Sequence, residues 1–235
     1  MEKVLKLYKN LGETPLECLE RFRATNLEYA SEKMTYAGRL DPMAEGLLIA
    51  LVGEECKKKD EYLGLDKEYI FEVIFGIQSD TYDILGIPKL ADNNQSLIRA
   101  NRRIVTEDFI GKKIQEYPAY SSRTFQMARD GVDFEPMTKE VDIYNLEILE
   151  EREISARKFL AEIIEKIDLV QGDFRQEEIK NAWQEFIARQ DLAIGLQIVK
   201  FKINCSSGTY VRSIANEMAG LAYSIKRTKV GEYQI

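Results

Sequence analysis

Apolar and polar residues alternate along two stretches of the chain, which is typical of a strand with one buried face. In "KEYIFEVIFG" (67–76) the alternating apolar residues are Tyr69, Phe71, Val73 and Phe75. In "LQIVKFKINC" (196–205) they are Val199, Phe201, Ile203 and Cys205. Both stretches are therefore predicted to be strands. Turn-forming residues crowd "QSDTYDILGIP" (78–88), so a turn is predicted after the first strand.

Helical spacing first appears in "ETPLECLERFR" (13–23). Thr14 is a favoured N-cap residue, Pro15 suits the first helical position, and Glu17 completes a capping box. We therefore predict a short helix that begins after Thr14. Its predicted buried stripe comprises Leu16, Leu19 and Phe22.

From 156 to 190 apolar residues recur at helical spacing in two runs that are separated by "QGDF". The first stripe comprises Phe159, Leu160, Ile163, Ile164 and Ile167, and the second comprises Ile179, Trp183, Phe186 and Ile187. We predict a helical hairpin inserted at about 156–190, and we interpret it as a stabilising element.

A last helix is predicted after "SSG" (206–208), with a buried stripe of Val211, Ile214, Ala215 and Met218. The predicted strands precede, separate and follow the helices without a regular βαβ order. This arrangement favours an α+β (mixed α/β) domain with a mixed sheet over a doubly wound sheet.

The stretch "TYAGRLDPMAEGLL" (35–48) places an aspartate directly before a proline, at Asp41 and Pro42. Asp is a favoured N-cap and Pro is favoured at the first helical position, so one interpretation is that Asp41 caps a helix. The other is that Asp41 is a reactive carboxylate held at a turn. The two are compatible, because a helix N-terminus also stabilises a carboxylate.

Composition narrows the possible chemistry. The chain of 235 residues contains no histidine, which excludes Ser-His-Asp and Cys-His catalysis and removes the commonest zinc ligand. Its three widely spaced cysteines suggest neither a disulfide framework nor a metal site. No phosphate-binding or dinucleotide-binding glycine motif is present in the sequence. Without a signal segment or a long apolar run, the protein is expected to be cytoplasmic.

The formal net charge is −7, which argues weakly against a protein that coats nucleic acid. Charge distribution matters more than its sum, and three local basic clusters could form a positive face. These clusters lie at 57–59, 99–103 and 226–229. Each by itself is also compatible with an ordinary solvated surface.

Tyr210 and Arg212 follow the "CSSGT" turn and are predicted to lie off the buried face of the last helix. They would then be available at the mouth of a cleft. On these residues alone, the slightly favoured interpretation is that Arg212 is a surface cation and that the ring of Tyr210 is packed.

Four ordered stretches resemble motifs of the TruB family of tRNA pseudouridine synthases. "AGRLDPMAEGLL" resembles GTLDPxAxGxL, and "KEYIFEVIFGIQSDTYDILG" resembles KxYxxxxxxGxxTxTxDxxG. "CSSGTYVRSIANEMAG" resembles CSxGTYIRxLAxDLG, and "SIKRTKVGEY" resembles LRRTRxGxF. A weaker stretch, "LKLYKNLGETPLECL", is similar to the opening KPxGxTS segment. The resemblance covers nearly the whole chain except the predicted hairpin.

The resemblance implies a role for each matching residue. Asp41 stands at the catalytic nucleophile, and Arg212 would hold its carboxylate in a charge-assisted, bidentate pair. Tyr69 stands at the tyrosine that stacks on the uracil and assists removal of the C5 proton. The implied substrate-binding residues are Tyr69, Tyr210, Arg212, Ile225, Tyr36 and Lys9.

The family resemblance further implies conversion of uridine to pseudouridine, with position 55 in the TΨC loop of tRNA as the target. No cofactor, metal or protein partner is expected, and the chain is expected to act as a monomer. Two alternatives remain: a tRNA-folding factor with weak or no catalysis, and a pseudouridine synthase that acts on another RNA, as the guide-dependent H/ACA relatives do.

Several positions depart from the family pattern. Tyr36 replaces a histidine that helps displace the target base, and Asn10 follows Lys9 where the family has proline. Thr124 occupies a lysine position within a shortened loop at 115–131. The expected organisation is one catalytic domain over 1–235, with the helical insertion and without a C-terminal PUA domain.

Overall fold

The computed structural model describes residues 2–91, 106–116, 138–189 and 195–235. Its longer helices are α1 (Pro15–Thr25), α2 (Lys59–Leu63), α3 (Ala156–Asp168), α4 (Gln176–Arg189) and α5 (Val211–Glu217). Short 3-10 helices span Leu27–Tyr29, Gly53–Lys58 and Thr106–Phe109. None of the described helices is both long enough and apolar enough to cross a membrane.

The strands of the described chain are β1 (Val4–Lys9), β2 (Met34–Ala37), β3 (Ala44–Val52), β4 (Lys67–Phe75), β5 (Ile77–Ser79), β6 (Pro88–Leu90), β7 (Gly111–Glu116), β8 (Thr138–Ile154), β9 (Leu196–Cys205), β10 (Gly220–Val230) and β11 (Tyr233–Gln234). Nine of them form one sheet in the order β1-β3-β10-β4-β9-β8-β7, with β11 beside β10 and β2 beside β3. Among the described strands only β3 and β10 pair in parallel. The α+β prediction with a mixed, largely antiparallel sheet is confirmed.

The two alternating stretches form β4 and β9, which are antiparallel neighbours with Tyr69 opposite Ile203 and Phe71 opposite Phe201. Their alternating apolar residues enter a first core on one face of the sheet, where α5 also packs. Phe75, at the end of β4, is only partly buried. The second core, on the other face, is built from α3 and α4 against residues such as Ile74.

The predicted start of α1 is confirmed. The Thr14 hydroxyl oxygen accepts a hydrogen bond from the Glu17 amide, and the Glu17 carboxylate accepts one from the Thr14 amide. The predicted stripe is partly wrong, since Leu16 is 57% exposed while Cys18 and Leu19 are buried. A helix turns by about 100° per residue, so Cys18, Leu19 and the partly buried Phe22 share a face from which Leu16 is displaced.

The prediction that Asp41 caps a helix is wrong. Asp41 precedes a turn that the Ala44 amide closes on the Asp41 carbonyl at 2.9 Å, and the chain then enters strand β3. The reason is burial: the apolar run from 47 to 51 in β3 pairs with β1 on one side and, from 49 onwards, with β2 on the other, and its residues are completely buried. A continuous apolar run of this kind suits a central strand and lacks the polar face of a surface helix.

Candidate active site

A cleft of about 780 Å³ opens on the face of the sheet that carries the first core. Its walls come from the segment 36–44, the segment 59–67 and the turn 207–212. Six of the seven predicted site residues line it, namely Tyr36, Asp41, Tyr69, Tyr210, Arg212 and Ile225. Segments that are far apart in the sequence therefore converge on one cavity.

Buried Arg227 of β10 supports the loop that leads into Asp41. Its Nε donates a hydrogen bond to the carbonyl of Leu47 at 2.7 Å. Its terminal nitrogens donate to the carbonyls of Arg39 and Gly38 at 3.2 and 3.4 Å. One side chain thus ties the approach to the aspartate to the adjacent strand.

Arg212 connects the cleft to a second carboxylate below it. Its Nε lies 2.9 Å from Oδ2 of Asp41, and one terminal nitrogen lies 3.3 Å from Oδ2 of Asp83. The same terminal nitrogen donates to the carbonyl of Thr81 at 2.8 Å. We expected both arms of the guanidinium on Asp41. The structure divides them between two carboxylates, and the Nε contact is an ion pair without hydrogen-bond alignment.

Exposure falls in steps through this charge cluster. The side chain of Asp41 is 35% exposed, whereas those of Arg212 and Asp83 are each 4% exposed. Burial tends to lower the pKa of Arg212, but the attraction of Asp41 and Asp83 outweighs it and raises that pKa. Arg212 is therefore a permanent cation beneath Asp41, the one carboxylate of this cluster that a ligand can reach.

Asp83 is fixed by its own loop. Its Oδ1 accepts hydrogen bonds from the Thr81 hydroxyl at 2.7 Å and from the Leu85 amide at 3.0 Å. Burial raises the pKa of the Asp83 carboxyl, while Arg212 and Thr81 act in the opposite direction. Asp83 therefore depends on Arg212 to stay ionised in the interior.

The prediction that Arg212 lies off the buried face is wrong. All five residues from 211 to 215 at the start of α5 are buried. Arg212 is enclosed because its side of the helix faces the turn around Thr81 and Asp83 rather than solvent. Tyr210, at the N-cap of α5, is half-buried and lines the cleft.

A glutamine that we did not predict holds the backbone of Tyr210. Gln115 on β7 accepts from the Tyr210 amide at 3.0 Å and donates to the Tyr210 carbonyl at 3.4 Å. The Ser213 hydroxyl also donates to the carbonyl of Glu116 at 3.1 Å. These bonds fix the start of α5 against β7 and so fix the position of the guanidinium of Arg212.

Tyr69 lies on β4, opposite Arg227 of β10, and its ring forms part of the cleft. Burial raises the pKa of the Tyr69 hydroxyl, and the positive charge of Arg227 opposes this effect. The hydroxyl is therefore protonated at neutral pH. Ile225, two residues before Arg227, adds an apolar surface to the same cleft.

The structure places Lys9 beneath the Asp41 turn rather than among the residues that line the cleft. Lys9 is completely buried and donates to the carbonyls of Asn10 and Ala44 at 2.9 and 2.5 Å. Burial lowers its pKa to about 8, while Glu13 and Asp41 act to raise it. Its contacts are those of a support for the chain around Asp41.

The basic cluster at 57–59 divides its contacts. Lys57 pairs with Glu54 and Lys58 pairs with Glu55, but Lys59 lies over the ring of Tyr36 with its Nζ 5.2 Å from the ring centroid. The cluster at 99–103 and Thr124 lie outside the described residues. Of the cluster at 226–229, Arg227 is buried and serves the Asp41 loop.

The lining of the cleft is basic although the chain is acidic. Among the described lining residues the carboxylates are Asp41 and Asp60. The basic lining residues are Arg39, Lys59, Lys67, Lys139, Arg212 and Arg227. Cations focused in a cleft of this kind attract a polyanion despite an opposite net charge.

Asp83, Arg227 and Gln115 are the site residues that sequence reasoning missed. Asp83 and Arg227 can be identified from the sequence, because each lies inside a stretch that resembles a family motif: Asp83 in "KEYIFEVIFGIQSDTYDILG" and Arg227 in "SIKRTKVGEY". Gln115 carried no comparable signal, since its importance depends on β7 approaching the start of α5.

The comparisons with known proteins point to one family. The family model described as TruB family pseudouridylate synthase (N terminal domain) matches residues 26–164. The tRNA pseudouridine synthase B of Borreliella afzelii is 30% identical, over 98% of this chain and 70% of that protein. The tRNA pseudouridine synthase B of Clostridium kluyveri is 26% identical, over 100% of this chain and 69% of that protein.

Solved structures with a similar fold include a Cbf5-Nop10-Gar1 complex, with a TM-score of 0.56 and 17% identity over 99% of this chain. An H/ACA RNP bound to a substrate RNA containing 2'-deoxyuridine gives a TM-score of 0.54 and 16% identity over 99% of this chain. This chain spans 50% and 48% of those two chains, about half of their length. At such identities the likeness establishes the fold alone.

Proposed function

The chain belongs to the TruB family of pseudouridylate synthases, and we propose that it converts uridine to pseudouridine in tRNA, at position 55 of the TΨC loop. The observation that carries this proposal is the position of Asp41. Its carboxylate is open to a basic cleft, is paired with the buried guanidinium of Arg212, and shares the cleft with Tyr69. The names of the relatives support tRNA as the substrate class.

The chemistry needs a nucleophile and a shielded site. Asp41 attacks the target nucleotide at C6 of the base or at C1′ of the ribose, and the bond between N1 and C1′ breaks. The uracil turns and C5 bonds to C1′. The bond to Asp41 then breaks and returns the free carboxylate, the C5 proton leaves, and N1 takes up a proton. The product is an isomer of the substrate, so no redox partner or energy source enters the balance.

Arg212 orients the nucleophile. The ion pair at 2.9 Å holds one carboxylate oxygen of Asp41 and leaves the other available for the substrate. Because Arg212 is itself held by Asp83 and by the Thr81 carbonyl, its guanidinium cannot swing into the cleft. The nucleophile is thus positioned before the substrate arrives, and no reorganisation is needed in the reaction.

The target base must leave the RNA stack to reach Asp41, at a cost of a few kcal/mol. In this proposal Tyr69 and Ile225 receive the uracil ring, while Lys59, Lys139 and Arg39 bind phosphates at the mouth. Tyr36 lies under the Lys59 ammonium and offers a ring at the entrance, where it stacks against the RNA loop.

The proposal is tested by incubating the full chain with an unmodified tRNA transcript and mapping pseudouridine at each site. We expect pseudouridine at position 55 and no product from a matched transcript with cytidine there. Pseudouridine at another position would contradict the proposed target. A transcript that is bound and refolded without any pseudouridine would overturn the proposed catalysis and favour an RNA-folding factor.

Tyr69→Phe is expected to slow pseudouridine formation by about 100-fold while changing affinity for tRNA little, because it keeps the stacking ring but loses the hydroxyl that relays the C5 proton. Tyr69→Leu is the comparison, since it removes both ring and hydroxyl and should weaken binding as well. Single-turnover rates and filter-binding affinities of the two variants make the distinction. A Phe variant as fast as the wild type would assign Tyr69 to stacking alone.

A further inference from the structure

The end of α3 packs against the chain that supports Asp41. The amide of Gln171 donates to the carbonyl of Gly12 at 3.3 Å, and the amide of Gly12 donates to the carbonyl of Pro42 at 2.9 Å. Gly12 has a φ of +86°, and a Cβ on it would lie 2.2 Å from the carbonyl oxygen of Leu169. The backbone at Gly12 is therefore too close to Leu169 for a side chain at position 12. The chain of hydrogen bonds ends at Pro42, the residue after Asp41.

The second helix contacts the loop that carries Asp83. Trp183 on α4 is completely buried, and its Nε1 donates to the carbonyl of Ile84 at 3.0 Å. Phe159 of α3 packs edge-on against the same indole, with ring centroids 5.4 Å apart. The bond fixes the peptide between Ile84 and Leu85, whose amide donates to the carboxylate of Asp83.

The connection between the helices contacts that loop a second time. Arg175 forms an ion pair with Asp80, with 3.1 Å between a terminal nitrogen and Oδ2. The other oxygen of Asp80 accepts from the Ile87 amide at 2.8 Å and closes the loop around Asp83. Arg175 has a φ of +62°, a conformation that non-glycine residues rarely adopt and that costs free energy.

Three contacts from one hairpin thus reach the chain that supports the Asp41 turn and the loop that carries Asp83, the two carboxylates that share Arg212. None of Trp183, Arg175 and Gln171 lines the cleft. We infer that the hairpin 156–189 is a positioning element that holds the Asp41 turn and the Asp83 loop at the separation that Arg212 spans. Trp183 and Arg175 are its positioning residues, and this role rests on the proposed function.

The separation matters because the guanidinium is shared. Movement of either loop lengthens one of its two ion pairs, now at 2.9 and 3.3 Å, and turns Arg212 away from the optimum for Asp41. A displacement of about 1 Å remote from the chemistry can cost about 100-fold in rate. A hairpin that only added stability would have no reason to bond to these two loops in particular.

The test uses the full chain with Trp183→Phe, which removes the indole donor, and Arg175→Gln, which removes the charge that pairs with Asp80. Arg175→Lys is the conservative variant for rescue. Ile163→Val and Ile163→Ala are the matched controls, because Ile163 is buried in the same hairpin and forms no part of the three contacts. Urea unfolding measures the free energy of unfolding of each variant. The two controls supply a small and a large loss of stability with which the other variants are compared.

We expect Trp183→Phe and Arg175→Gln to lower kcat by about ten-fold at an unchanged KM for the tRNA transcript. Arg175→Lys should recover part of the loss, and both Ile163 variants should keep the wild-type kcat under conditions where they are folded. Hydrogen exchange at the Leu85 amide should become faster in Trp183→Phe than in an Ile163 variant of equal stability. Trp183 is the one tryptophan of the chain, so its fluorescence also reports this contact in the wild type.

The inference is overturned if the two variants have the kcat of the Ile163 control of equal stability, or if exchange at Leu85 follows stability alone. Failure of the proposed function looks different. It would leave the wild type without product, while the exchange comparison would still show whether the hairpin holds the Asp83 loop.

Discussion

We expect Asp41→Asn to abolish pseudouridine formation and to leave the affinity for tRNA within about two-fold of that of the wild type. The substitution preserves the volume of the side chain but removes the negative charge that makes it a nucleophile. Asp41 is the accessible carboxylate over the buried pair of Arg212 and Asp83, so neither neighbour can replace it. Single-turnover assays with a saturating transcript measure the rate, and filter binding measures the affinity.

Asp60→Asn is the matched control for this experiment. Asp60 is an exposed carboxylate at the same cleft, and the same chemical change there removes the same charge. We expect Asp60→Asn to retain the wild-type rate. If Asp41→Asn still produced pseudouridine at a comparable rate, Asp41 would not be the nucleophile, and the proposed chemistry would have to be assigned to another group.

The strands and the first helix could be predicted because their causes are local. Alternation places Phe71 and Phe201 in the core, and the capping box of Thr14 and Glu17 needs only a few neighbouring residues. The helix proposed at Asp41 failed for the opposite reason. Local capping preferences of Asp and Pro were overruled by the long-range pairing that encloses β3 between two strands.

The site shows the same division. The motif resemblance predicted that Arg212 pairs with Asp41, and Nε of Arg212 lies 2.9 Å from Oδ2 of Asp41. The resemblance did not indicate that Arg212 is buried or that Asp83 lies behind it, because both facts depend on the packing of the loop around Thr81 under α5. The hairpin was interpreted as simple support, since the bond from Trp183 to Ile84 joins residues 99 positions apart and leaves no local pattern.

Arg212→Met is expected to destabilise the protein by about 3–5 kcal/mol at neutral pH, because it leaves a buried carboxylate without its cation. Methionine approximates the length of the lost side chain, so the main change is electrical. Asp83 retains its bonds from Thr81 and Leu85, but these do not neutralise it. Turnover should fall more than tRNA affinity, because Arg212 orients Asp41 and is too buried to contact a phosphate. An equal loss of turnover and affinity would instead indicate a phosphate contact.

The pH dependence identifies the responsible group. Burial already raises the pKa of Asp83, and removal of Arg212 removes the opposing influence and raises it further. The folded variant then binds a proton at pH values where the unfolded chain, with an ordinary aspartate pKa of about 3.9, does not. More protons in the folded state mean that stability falls as pH rises. The stability deficit of Arg212→Met should therefore shrink from pH 8 towards pH 5, as measured by urea unfolding at each pH.

A second substitution separates the buried charge from the lost packing. Asp83→Asn in the Arg212→Met background removes the unpaired carboxylate, and we expect it to restore most of the stability and to remove the extra pH dependence. It should not restore turnover, because Asp41 still lacks the cation that orients it. If the double variant remained as unstable as Arg212→Met at every pH, the cost would come from packing around the methionine, and Asp83 would not be the group that Arg212 keeps ionised.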